Sequence, residues 1–115
     1  MNYVKINKPK EYIFINKFGK YLHSANFIIQ YHNETSVNKS IKSSIRLGIT
    51  ASKKTGNAVN RNLVKRRLKA IFSNAVKNRT TKYLDFVIIG KKNIANINYK
   101  SLVSEFNNAF EKINN

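Results

Sequence analysis

The sequence predicts one α+β domain, residues 1–115, with helices laid on a mixed β-sheet, and three observations carry that prediction. Residues 25–32 and 45–50 alternate apolar and polar side chains with the period of two that strands require. Residues 57–75 keep an apolar stripe at helical spacing and lie between 45–50 and the apolar run 84–90, so strand, helix and strand follow one another and imply a parallel pair. Tyr99, Leu102, Val103, Phe106, Phe110 and Ile113 then recur at i, i+3, i+4 and i+7, as in a helix packed on a sheet.

In chain order, Asn7 is positioned to cap a short helix with Pro9 and Glu11 in its first turn and Gly19 at its end. Tyr12, Ile15 and Phe18 share one side of that helix, an aromatic surface available to a ligand. Ala25, Phe27, Ile29 and Tyr31 form the apolar phase of a half-buried strand. Asn33 to Ser44 is polar and reads as a flexible connection, a long hairpin loop. Ile45 to Thr50 is a second strand, in which Gly48 marks a bulge or a close approach. Ser52-Lys53-Lys54-Thr55-Gly56 is a basic turn without the glycine spacing of a Walker loop, and it sets backbone N–H groups and two ammoniums at the positive end of the next helix. Leu84 to Gly90 reads as a strand buried on both faces, and Asn98 caps the last helix.

The central helix is the functional centre. Val64, Leu68, Ile71, Phe72 and Ala75 fall within an arc of roughly 100° that faces the core. Arg61, Lys65, Lys69, Asn62 and Arg66 fan over an adjoining arc of roughly 140°. A merely solvated face interleaves acids for i, i+4 pairing, yet no Asp or Glu occurs between Glu34 and Asp85. The missing anions come from a partner, and guanidinium forks, ammonium charge and the Asn62 amide suit phosphate and sugar edges.

A net charge of +17, from 22 Lys and Arg against 5 Asp and Glu, points to a polyanion, nucleic acid first. With no Trp and no apolar run of spanning length, a membrane partner is disfavoured. The absence of cysteine and of an apolar start predicts a cytoplasmic protein without disulfides. The five acids lie one per element and His23 and His32 lack ligand spacing, so neither a metal site nor catalytic residues are expected, nor a small-molecule substrate.

Arg46-Leu47-Gly48-Ile49-Thr50-Ala51-Ser52-Lys53-Lys54, then Gly56-Asn57-Ala58-Val59-Asn60-Arg61-Asn62-Leu63-Val64-Lys65-Arg66, then Asp85-Phe86-Val87-Ile88-Ile89-Gly90-Lys91-Lys92 resemble the bacterial ribonuclease P protein subunits, over nearly the whole chain. The resemblance implies a ribosomal S5 domain 2-like fold of order αβββαβα with a left-handed βαβ crossover, against the usual right hand. It implies a subunit that joins a catalytic RNA to remove 5′ leaders from precursor tRNA, the RNA cutting with Mg2+ that it mainly holds itself. By position, Ser52, Lys53, Lys54, Arg61, Asn62, Lys65, Arg66 and Lys69 would contact RNA, and Tyr12 with Phe27 or Tyr31 would line the cleft for the leader. The family's Arg-Asn-Arg reads Arg61-Asn62-Leu63 here, and Asn16 stands where an aromatic is expected. Arg67, one turn beyond Leu63, is placed to restore the missing guanidinium and joins the RNA-binding set. The competing readings are a structural RNA-binding protein of ribosomal type and, disfavoured for want of a preceding short helix, a DNA-binding helix-turn-helix module.

Overall fold

The computed structural model of the chain describes residues 3–33, 45–79 and 81–115. Their strands are β1 (Val4–Lys5), β2 (Lys20–His23), β3 (Phe27–His32), β4 (Arg46–Thr50) and β5 (Asp85–Gly90), and their helices are α1 (Pro9–Phe18), α2 (Ala58–Asn78) and α3 (Tyr99–Asn114). The strands form one sheet in the order β1-β4-β5-β3-β2. β1, β4 and β5 run parallel, while β3 is antiparallel to both β5 and β2. The expected αβββαβα order is therefore present, preceded by β1, which is too short to leave a period in the sequence. Val4 and Ile6 donate their backbone N–H groups to Ile45 and Leu47, which ties the start of the chain to the β4 edge.

Two of the expected local features differ. α1 starts behind Lys8, without a side-chain cap, and Asn7 does not serve as one; Pro9 supplies the start because its missing N–H would have been an orphan in any case. The connection between β3 and β4 lies outside the described residues apart from Asn33 and Ile45, but it joins no hairpin, because β5 stands between the two strands. The long apolar strand takes the central place because only there are both of its faces covered.

The sheet register divides the side chains between two layers. Phe27, Ile29, Leu47, Phe86 and Ile88 meet Val64, Leu68 and Phe72 of α2 and Leu102, Phe106 and Phe110 of α3. Phe72 is the hub, with ring centroids 5.2 Å from Phe86, 6.2 Å from Phe106 and 6.3 Å from Phe110. The opposite face is smaller: Ile15 of α1 and Ile6 pack on Val87, with Tyr12 and Ile89 at its margin. β3 is covered on both faces at its middle, where Gln30 is 4% exposed beneath α1, while Ile28, Tyr31 and His32 stay partly exposed. No helix among the described residues is long and apolar enough to cross a membrane.

A buried ionic cluster fastens α1 to this smaller face. The Arg46 guanidinium donates to Asp85 at 2.8 Å and to Glu11, and all three side chains are almost fully buried. Burial works to lower the Arg46 pKa, but hydrogen bonds and charge from Asp85 and Glu11 outweigh it and raise the value. The acids that look isolated along the sequence are thus consumed internally, which a one-dimensional reading could not detect.

Candidate nucleic-acid interface

The interface begins where β4 ends. Ser52 Oγ accepts from the Lys54 N–H at 3.3 Å, and the Ser52 carbonyl accepts from the Thr55 N–H at 3.0 Å, which closes a single 3-10 turn, and from the Thr55 hydroxyl at 2.7 Å. Gly56 then adopts φ +126°, a conformation L side chains rarely adopt, and a Cβ there would lie 2.8 Å from Asn60 Nδ2. Asn57 caps α2 by accepting the Asn60 N–H at 2.9 Å. The exposed Lys53 and Lys54 therefore stand at the positive end of a helix of 21 residues.

Along α2 the predicted stripe is the buried one, Val64, Leu68, Ile71, Phe72 and Ala75. Asn62, Arg66 and Lys69 are exposed, and Arg61 and Lys65 are half-buried at the border of the stripe. Lys65 and Lys69 overhang a cavity of about 180 Å³ at the β4 edge, lined also by Tyr3, Lys5, Tyr12, Leu47 and Ile49. Every acid among the described residues is engaged elsewhere: Glu11 and Asp85 on Arg46, Glu105 on Ser24 and Asn26, and Glu111 3.8 Å from Arg79. None of these contacts involves the turn or the cationic side of α2.

Arg67 is a correction to the expected set. At 100° per residue it stands about 160° from Lys65, across the buried stripe. Its guanidinium donates to the Ile97 carbonyl at 3.3 Å and lies 6.0 Å from the centroid of Tyr99. It clamps α2 to the start of α3 and does not lean back over Leu63 toward the cationic face.

A groove opens between α1 and the sheet, about 300 Å³ in volume and lined by Tyr12, Ile13, Asn16, Gln30, Thr50, Val87 and Ile89. Tyr12 also lines the β4-edge cavity, so its ring joins the two recesses. Its hydroxyl donates to the Ile6 carbonyl at 3.0 Å, and its ring fills the space that a side chain at Gly48 would take. Burial first, then the Glu11 charge, raises the Tyr12 pKa above its ordinary value. Asn16 Oδ1 accepts from Gln30 Nε2 at 3.1 Å and from the Tyr21 hydroxyl at 3.0 Å, making a polar floor at the β3 end.

Phe27 and Tyr31 do not reach this groove. Phe27 is 0% exposed and packs on Phe106 with centroids 5.8 Å apart, so it is core and not available to a base. Tyr31 lies on the same far face, edge-on to Tyr83 at 4.7 Å. Side chains of a strand alternate faces, so the β3 residue that reaches the groove is Gln30, one position from the expected Tyr31. Its signal in the sequence was a polar residue in the middle of an apolar strand. Ile13, Thr50, Val87 and Ile89 carried no such signal, because α1 brings them together only by crossing the sheet.

Among the described residues no group of three or more His, Cys, Asp or Glu side chains could hold a metal ion. What the arrangement offers is positive charge beside a groove with an aromatic wall.

The family model for Ribonuclease P matches residues 1–114 of the chain. The chain is 35% identical to the ribonuclease P protein component of Finegoldia magna, across 97% of this chain and 92% of that one. It is 33% identical to the component of Streptococcus pneumoniae serotype 4, across 85% and 74% of the two chains. Among solved structures, that of the Staphylococcus aureus RNase P protein superposes with a TM-score of 0.79 at 27% identity, covering 96% of this chain and 97% of that one.

Proposed function

The chain belongs to the ribonuclease P protein family, and from that premise we propose how its surfaces divide the work of the ribonucleoprotein. It is the protein subunit that assists an RNA catalyst in cutting the 5′ leader from precursor tRNA, and the catalytic RNA and the precursor are its partners. Ser52, Lys53, Lys54, Arg61, Asn62, Lys65, Arg66 and Lys69 hold RNA near the reacting phosphate, mainly by charge. Such binding weakens steeply with salt. The groove of Tyr12, Asn16, Gln30 and Thr50 takes the single-stranded leader. Mg2+ is held by RNA phosphates, since among the described residues the carboxylates that converge do so on Arg46. We take residues 1–115 as one RNA-binding domain, because both apolar layers share one sheet, and place it in the cytoplasm with its RNA partners.

The observation that carries this reading is the position of Tyr12, which walls the groove on one side and meets Lys65 and Lys69 across the β4 edge on the other. A strand lying in the groove would have its bases against a ring and its phosphates near ammoniums, a sequence-tolerant combination contributing about 1–3 kcal/mol per stacked base. The test is Tyr12→Leu in the reconstituted holoenzyme, with affinity measured for leader-bearing and mature tRNA. The leader-bearing RNA is expected to bind about 5- to 100-fold more weakly, and the mature tRNA to be unaffected. Equal losses for both would assign Tyr12 to packing alone.

A further inference from the structure

We infer that a cavity beyond the C-terminal end of α1 is a second site for single-stranded RNA, taking leader nucleotides upstream of those in the groove. The inference rests on the reading of the groove as the leader's path.

The cavity, about 400 Å³, is lined by Phe18, Lys20, Tyr31, His32, Lys82 and Tyr83, together with Asn33, and shares no residue with the other two recesses. Its chemistry is that of a nucleotide site. Phe18 is 58% exposed even though its ring touches Phe14 at 5.0 Å, so packing accounts for only part of it. Lys20 Nζ lies 5.7 Å from the Tyr83 centroid and donates to the Tyr83 hydroxyl at 3.4 Å, which sets an ammonium beside an aromatic face. Lys82 adds a second ammonium, and none of the lining residues is acidic. Rings for bases and ammoniums for phosphates bind single strands without regard to sequence.

Continuity with the groove selects the occupant. The groove follows α1 from Tyr12 to Asn16 and ends at the last turn of that helix. Phe18 closes the same turn, on the flank away from the groove: at 100° per residue Asn16 and Ile13 lie about 40° and 100° to one side of Tyr12, and Phe18 lies about 120° to the other. On the sheet, Gln30 lines the groove and His32 the cavity, on the same face of β3 and about 7 Å apart. A strand leaving the groove over Asn16 passes the end of α1 and meets the Phe18 ring next. The amide-to-carbonyl bond of Gly19 to Ile15, at 2.8 Å, fixes that end of the helix.

The experiment compares precursor tRNAs with leaders on the order of 5 and 12 nucleotides, the range of single-strand site sizes, bound to the reconstituted holoenzyme. The variant Phe18→Ala/Lys20→Gln/Lys82→Gln is expected to bind the long leader about five- to tenfold more weakly and the short leader as the unmodified protein does. Phe18→Tyr, which keeps the ring, is expected to retain the long-leader affinity. Equal weakening for both leaders, or none, would overturn the proposal. So would weakened binding to the RNA subunit without tRNA present, which would place the cavity against that subunit. Tyr12→Leu, measured in parallel on the short leader, separates the two readings. If it has no effect, the groove assignment falls and takes this inference with it. If it weakens binding while the triple variant shows no dependence on leader length, the second site alone fails.

Discussion

Replacing Arg46 by Met tests what holds α1, and with it the groove, against the sheet. Glu11 and Asp85 are 3% and 1% exposed, and Arg46 is the cation to which both are paired. Asp85 Oδ2 already has no hydrogen-bond partner, so the cluster has little capacity to absorb the loss. Removing the guanidinium leaves two buried carboxylates without their cation, which typically costs about 3–5 kcal/mol. That is a large part of the roughly 5–15 kcal/mol that keeps a domain folded, and corresponds to a melting temperature lower by about 10–25 °C in a chain of this size. Urea and thermal unfolding followed by circular dichroism at pH 7 measure it. Arg46→Met combined with Glu11→Gln and Asp85→Asn should recover most of the loss, since neutral groups carry a far smaller desolvation penalty. A loss below about 1 kcal/mol for Arg46→Met alone, the level of an exposed pair, would refute the claim that this cluster anchors α1.

Gly48→Ala puts a Cβ 2.6 Å from the Tyr12 hydroxyl oxygen and 2.7 Å from two of its ring carbons, so it should cost about 1–3 kcal/mol of stability and weaken leader-bearing tRNA binding by displacing the ring; an unchanged affinity would show that the ring's place does not matter. Burial acts to raise the Glu105 pKa, but hydrogen bonds from Ser24 and from the side chain and backbone of Asn26 outweigh it and hold the value below the ordinary one. Its contribution to stability is therefore complete above the unfolded value of about 4.3 and disappears as pH falls through the lowered folded value, so the stabilities of the wild type and Glu105→Gln should converge on acidification. Arg67→Ala should cost about 1 kcal/mol of stability through Ile97 and Tyr99. Combined with Leu63→Arg it should act additively on holoenzyme assembly, within a few tenths of a kcal/mol; strong coupling would return Arg67 to the cationic face.

Sequence alone determined the features that arise from near neighbours along the chain. The buried stripe of α2, the cap at Asn98, the doubly covered β5 and the uncompensated cations between Glu34 and Asp85 are all properties of spacing and charge. The Arg46 cluster joins residues 35 and 39 positions apart, and no period links Glu11 to Asp85. The face assignment on β3 needed the third dimension as well: alternation gives two phases, and only the placement of α1 over one and of α2 and α3 over the other decides that Phe27 is core while Gln30 faces the groove. The same limit applies to Arg67, whose helical row matches Leu63 but whose long side chain goes where α3 supplies a carbonyl and a ring. Local patterns fix which elements form and which stripe of α2 and α3 turns inward; the face that each phase of a strand meets, and the partners that side chains find across the sheet, depend on how the layers stack.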